Sequence, residues 1–254
     1  MPKRSNSDPE LNDNSKVAKC DEVQVQKITE EAVKIPYKDK IIDGMLTFPT
    51  PSDSNNHTAV ILTHGAGGDM NIKQLKYLSE YLSRSGFTIL RFTCRGLNVN
   101  YKTNVYRSTL KFLHSNAEEY GIKKCVLGGR SMGCRAAVQL ANQLQERKEP
   151  ELSDFVVGII CLAYPLHLQD EKEKLRDGPL LTMKMPAFFI SGTEDEMAEK
   201  KIFEEVLKKM PGSPVIHWLE GVGHSHTSRK AEQLNVEKSV CEAVKSWLTK
   251  LVRD

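Results

Sequence analysis

The sequence predicts an α/β domain, a mostly parallel β-sheet flanked by helices. Three observations carry that prediction. Short, continuously apolar runs such as "TAVILT" and "VVGIICLAY" recur along the chain, and a strand buried on both faces reads this way because neither side meets water. Between the runs lie segments with apolar residues at helical spacing, the alternation that joins parallel strands by crossover helices. The 254 residues show no internal repeat, and about 200 to 250 residues is a common size for one such domain.

Taken in order, residues 1 to 32 read as a disordered N-terminal tail and 33 to 254 as the domain. Up to about residue 22 the chain holds few apolar residues and many Ser, Asn, Asp and Lys, too little apolar surface to offset the entropy of ordering it. "AVKIPYK" and "KIIDGMLTFP" follow as two short strands joined by a turn, the second closed by Pro49, an antiparallel edge to the sheet. "TAVILTHG" (58 to 65) is a buried strand ending in glycine, and Leu75, Leu78 and Leu82 mark one face of the next helix. "GFTILRF" (86 to 92) is a strand, residues 104 to 120 have helical texture, and "KKCVLGG" (123 to 129) is a strand. "MGCRAAVQLANQLQ" (132 to 145) is a helix whose alanines allow close approach to the sheet. Strands at 156 to 164 and 186 to 192, a helix at 198 to 210, a strand at 214 to 220 and a last helix carrying Val240, Val244, Trp247, Leu248 and Leu251 complete the chain. Residues 165 to 185 leave room for one short helix and its loops, too little for a lid domain.

Composition narrows the function classes. Hydrophobic residues make up 39% and charged residues 27%, a soluble globular balance. No run approaches the roughly 18 apolar residues of a membrane span, and the N-terminus lacks the apolar core of a secretory signal. The formal charge of +3, without a basic cluster interleaved with aromatics, points away from nucleic acid. The six cysteines, at 20, 94, 125, 134, 161 and 241, form no Cys-x-x-Cys pair and read as buried free thiols of a reducing compartment. The expected location is the cytoplasm, with the nucleus as an alternative.

Chemistry-bearing residues fall at strand ends, where open α/β sheets bind ligands. In "GGRSMG", Ser131 stands between Gly129 and Gly133 at the spacing of a nucleophile elbow, in which a sharp strand-to-helix turn thrusts the serine oxygen above the sheet. The alternative is a serine that only caps a helix. A serine nucleophile needs a base and a carboxylate to orient it. Asp195 in "SGTEDEM" and His224 in "GVGHSHT" follow in the order of such triads, although Glu194, Glu196 and His226 leave the register open. The glycine-rich turn "THGAGGDM" offers backbone N–H groups for an oxyanion hole, the chosen pair being those of Ala66 and Met132. His64 reads as a brace of that turn and no metal ligand set is evident. Arg95 and Arg130 are candidates for binding an anionic substrate group, the alternative being that they only hold loops together.

The segments "ILTHGAGGDMN", "LRFTCRGLN", "GGRSMGCRAA", "YPLH" with "KLRD", "SGTEDEM" and "GHSH" resemble, in order, the testis-expressed protein 30 family, related to dienelactone-hydrolase-type enzymes. The resemblance runs from about residue 33 to the C-terminus. It implies an α/β-hydrolase fold with the triad on Ser131, Asp195 and His224, and little about the substrate; the expectation of a small acyl substrate and no cofactor comes from the site residues themselves. Cys134 departs from the family pattern, where serine is usual, and should face the packing. A relative of the family is a regulatory subunit of a nuclear histone-acetyltransferase complex. The alternative to a serine hydrolase cleaving an ester, thioester or amide is therefore a silent interaction module with a protein partner.

Overall fold

In the computed structural model of the chain, residues 27–50, 56–146, 148–226 and 233–253 are described. The strands are β1 (Lys27–Tyr37), β2 (Lys40–Thr50), β3 (Thr58–Thr63), β4 (Thr88–Phe92), β5 (Lys124–Arg130), β6 (Val156–Leu162), β7 (Ala187–Gly192) and β8 (Pro214–Leu219). The helices are α1 (Lys73–Ser83), α2 (Val99–Ser115), α3 (Met132–Gln145), α4 (Pro150–Phe155), α5 (Gly178–Thr182), α6 (Lys200–Lys208) and α7 (Gln233–Leu251). All the strands join one eight-stranded sheet in the order β1-β2-β4-β3-β5-β6-β7-β8. From β4 to β8 every pair is parallel, while β1 pairs antiparallel with β2 and β2 with β4.

The apolar runs work as the sequence predicts. Every residue of β3, β4 and β7 is buried. Alternation along each strand sends Val60, Leu62, Ile89 and Ile190 to one face, against Leu75, Leu78 and Leu82 of α1 and Val240, Val244 and Leu248 of α7. Ala59, Ile61, Leu90 and Phe189 point the other way, into a core closed by α2 through α6. Fully burying one such side chain contributes about 1.5–3 kcal/mol, so the two clusters account for most of what holds the layers together.

The main departures from expectation are four. β1 begins at Lys27, so residues 27–32 belong to the sheet and not to the tail; its pairing runs from Lys27 opposite Thr50 onward, and ladder bonds order residues whose own burial is small. The remainder of the predicted tail, 1–26, lies outside the described residues. β2 runs through Pro49, which lies beyond Thr47, the last β2 residue paired with β4, where one flank of the strand is open. α2 starts at Val99, five residues early, because the Asn98 side chain accepts the Tyr101 N–H and caps the helix. The six-residue α4 was not foreseen, since two turns are too few to show a period. Residues 163–186 hold only α5 and loops, and no lid domain.

The chain leaves β3 toward β4 on one side and returns to β5 on the other. At such a switch point the loops after the two central strands diverge and open a crevice. Gly65 follows one of those strands and Ser131 the other.

Candidate active site

Ser131 joins β5 to α3 with φ 52° and ψ −116°, a backbone conformation that costs an L residue on the order of 1–3 kcal/mol. Its side chain makes no cap hydrogen bond to the helix. The turn is tight because two glycines permit it: a Cβ on Gly129 would lie 2.7 Å from the Gly133 carbonyl carbon, and one on Gly133 would lie 2.5 Å from the Thr63 carbonyl oxygen. The serine N–H donates to the Leu162 carbonyl of the adjacent strand at 2.9 Å. The strain is thereby held by the sheet, and the hydroxyl stands clear at the strand's carboxyl end.

The hydroxyl meets an imidazole. Ser131 Oγ lies 2.9 Å from His224 Nε2, and His224 Nδ1 lies 3.0 and 3.1 Å from the two oxygens of Asp195. Asp195 is buried and follows β7; its carboxylate also accepts the Met197 N–H at 2.9 Å and the Ser191 hydroxyl at 3.4 Å. With a carboxylate on Nδ1, the proton of a neutral His224 belongs on that nitrogen and Nε2 faces the serine as an acceptor. The backbone of His224 is clamped at both ends. Its N–H donates to Glu196 Oε2 at 3.2 Å and its carbonyl accepts from Arg130 Nη2 at 2.9 Å.

In this geometry the residues in line with Ser131 are His224 and Asp195. Glu196 holds the histidine loop, and the Glu194 N–H ties its own loop to the Val222 carbonyl. His226 is buried at φ 55° and makes no hydrogen bond to the serine among the described residues, with its ring beside the Ile190 carbonyl. Burial pushes its pKa down to about 4, and the neighbouring Arg130 charge acts in the same direction. Arg130 braces the His224 loop, the alternative stated for it above. Arg95 is exposed beyond β4, and its charge is felt at Asp43. Cys134 is fully buried with Sγ against the Gly129 and Leu162 carbonyls, facing the packing as expected.

The turn after β3 packs on the serine: a Cβ on Gly65 would lie 3.1 Å from Ser131 Cβ. Gly67 and Gly68, both at φ 71°, curl it back, a conformation open to residues without a Cβ. Met132 is the first residue of α3, where a helix leaves its N–H without an internal acceptor. Among the described residues neither its N–H nor that of Ala66 has a hydrogen-bond partner. His64 braces the turn as predicted. Its Nδ1 lies 2.9 Å from the Gly65 and Gly67 carbonyls, while Nε2 accepts the Cys94 N–H at 2.9 Å. Burial, helped by Lys102, holds its pKa below the ordinary value, so it stays neutral.

Lys102 was missed. Its Nζ donates to the Cys94 carbonyl at 2.7 Å and the His64 carbonyl at 3.3 Å, and the side chain is fully buried. No local signal marks it, because its partners stand 8 and 38 residues away. Burial depresses its pKa.

A lidless α/β sheet with a Ser–His–Asp line at the carboxyl ends of its strands defines the class of α/β-hydrolase folds. The family model of the alpha/beta hydrolase domain matches residues 56–251, and the chain belongs to that family. The fold is shared with dienelactone hydrolase from Anabaena variabilis at 18% identity and TM-score 0.68, over 88% of this chain and 98% of that one. It is also similar to XC6422 from Xanthomonas campestris, a member of the α/β serine hydrolases without a lid, at 16% identity and TM-score 0.65, over 86% and 94% of the two chains. An esterase from Pyrobaculum calidifontis matches at 17% identity and TM-score 0.65, over 87% and 85%. Among the described residues no helix is long and apolar enough to cross a membrane.

Proposed function

We propose that the protein is a serine hydrolase that cleaves an ester, thioester or amide through an acyl-serine intermediate. The observation that carries this is the continuous line from Ser131 Oγ through His224 to Asp195, with bonds of 2.9 and 3.0 Å. His224 takes the serine proton as Oγ bonds to the substrate carbonyl carbon, and Asp195 stabilises the imidazolium that results. The N–H groups of Ala66 and Met132 receive the oxyanion. When the tetrahedral adduct collapses, the bond to the leaving group breaks and His224 returns the proton to it. Water then repeats the sequence on the acyl-serine and restores the hydroxyl.

The finer likeness to the testis-expressed protein 30 family rests on "FTCRGLN", "GRSMG" and "KLRD". The five described cysteines, all buried and free, suit a reducing compartment. Hydrolysis of a panel of short-chain 4-nitrophenyl esters and thioesters tests the proposal, with Ser131→Ala as control. Turnover by the wild type that vanishes in the variant is the expected outcome. No turnover of any ester or thioester would favour the interaction module.

A further inference from the structure

We propose that a cavity between α1, α7 and the loop of His224 binds one water molecule, which bridges His226 Nε2 to the Glu237 carboxylate and docks that loop on α7. That the docked loop carries a catalytic base rests on the hydrolase reading; the water site does not.

His226 is only 2% exposed. Its ring bonds to the Ile190 carbonyl, and a carbonyl only accepts, so the nitrogen facing it carries the proton. Nε2 is buried and has no hydrogen-bond partner among the described residues. The bonded nitrogen is therefore Nδ1, and Nε2 keeps a lone pair that no donor meets. Burial holds the ring neutral, so a second proton does not fill that place. A buried acceptor left bare loses its hydration with nothing in return, and an ordered water is the usual remedy where the site is polar and roomy enough.

The site is both. His226 lines a cavity whose walls include Gln74 of α1, Leu162 at the end of β6, and Gln233, Glu237 and Val240 of α7. The space open to a water-sized sphere is about 10 Å³, the lower end of the roughly 10–15 Å³ that one water needs, and it leaves no room for a second. A buried water needs two or more polar partners. Glu237 is the second: its side chain is 5% exposed and accepts from Lys73 Nζ at 3.0 Å and from Gln233 Nε2 at 3.5 Å, which uses two of the roughly four lone-pair sites of an ionised carboxylate. A water between the two acceptors donates one proton to Nε2 and the other to the carboxylate.

The walls of this cavity already hold the loop. Gln74 Nε2 donates to the Ser225 carbonyl at 3.1 Å, and Gln233 Nε2 to the His226 carbonyl at 3.0 Å. On the opposite side, the Leu162 carbonyl accepts the N–H of Ser131. With the water in place, α7 grips the ring of His226 as well as its carbonyl, two residues beyond His224.

The test has readouts that need no turnover. Crystals of the full chain, diffracting well enough to show waters, are compared for the wild type, His226→Gln and His226→Phe. The wild type should show one density peak in the cavity at about 2.7–3.2 Å from Nε2. The glutamine variant, whose amide oxygen can stand where Nε2 stood, should keep the peak, and the phenylalanine variant should lack it. In solution, amide hydrogen exchange of residues 220–226 should be roughly tenfold faster in His226→Phe than in the wild type, with His226→Gln in between, the scale of a lost hydrogen bond. A wild-type cavity without a peak overturns the site, and so does a protein donor bonded directly to Nε2. Exchange in His226→Gln as fast as in His226→Phe overturns the docking role. A wild type that holds the water yet takes no serine-directed label sinks the hydrolase reading alone.

Discussion

Ser131, with φ 52° and no capping bond of its own, is the residue on which strain and chemistry meet. A serine that merely started a helix would turn its oxygen to the N–H groups of the next turn; this one turns it to His224 Nε2 at 2.9 Å. Asp195→Asn should lower kcat for any ester by roughly 10⁴ with the circular dichroism spectrum unchanged, because the wrong imidazole tautomer then faces the serine; a drop below tenfold would show that Asp195 does not orient the base. His226 gives a prediction of opposite kind. Burial lowers its pKa from 6.5 to about 4, so the unfolded chain takes up a proton that the folded chain refuses. Its contribution is complete above pH 6.5 and is lost as the pH falls toward 4, about 3 kcal/mol in all at 1.36 kcal/mol per unit. Denaturant midpoints measured across that window should slope downward on acidification in the wild type and less steeply in His226→Gln. The choice between His224 and His226 was not legible in "HSH", because two residues of equal chemistry differ only in where a left-handed turn sends the second ring.

At the scale of elements, the site is made by loops fastened to a rigid sheet. The turn after β3 is fastened through His64 and Lys102, and a buried ammonium whose partners are two loop carbonyls holds both loops at fixed distance. Lys102 is a positioning residue: Lys102→Met should lower kcat about tenfold or more, the scale of a lost oxyanion-hole donor, while KM changes far less. Equal effects on both parameters would mean that the lysine only supports substrate binding. Gly133→Ala should destabilise the fold by about 1–3 kcal/mol or more, because the added methyl would meet the Thr63 carbonyl at 2.5 Å; thermal melts of wild type and variant check this. Strands were legible because continuous burial leaves continuous apolar runs, and α3 because its boundary coincides with the Gly–x–Ser–x–Gly turn. Glu196 on the His224 N–H and Lys102 under the glycine-rich turn were not. Their partners lie far away in sequence, and an isolated acid or lysine carries no period.

For the whole molecule, the antiparallel hairpin of β1 and β2 ties the sheet edge to the site. Arg91 of β4 is almost fully buried, and its guanidinium bonds to Glu30 of β1 at 2.6 Å and to the Met70 carbonyl at 3.1 Å, in the loop that follows the glycine-rich turn. A chain beginning at residue 27 keeps that pair, whereas one beginning at residue 33 strips Glu30 from a buried charge. The second chain should be less stable than the first by about 1–3 kcal/mol, the cost of leaving a buried donor without its partner, in paired denaturant melts. This edge was misjudged from sequence because residues 27–32 are mostly exposed and carry no apolar alternation, although each of them stands opposite a residue of β2. The mostly parallel sheet with its antiparallel edge hairpin and the absence of a lid domain were legible, the first from strands alternating with helices and the second from the short stretch between β6 and β7, whereas the order of the strands was not. The central claim is that this scaffold activates Ser131 as a nucleophile, and a fluorophosphonate probe with peptide mapping tests it most directly, because the reagent imitates the tetrahedral state and needs both base and oxyanion donors to react quickly. The wild type should be labelled at Ser131, Ser131→Ala and His224→Ala should take no label, and His226→Ala should still be labelled. A folded wild type that remains unlabelled, or a label that survives in His224→Ala and is lost in His226→Ala, would contradict the account.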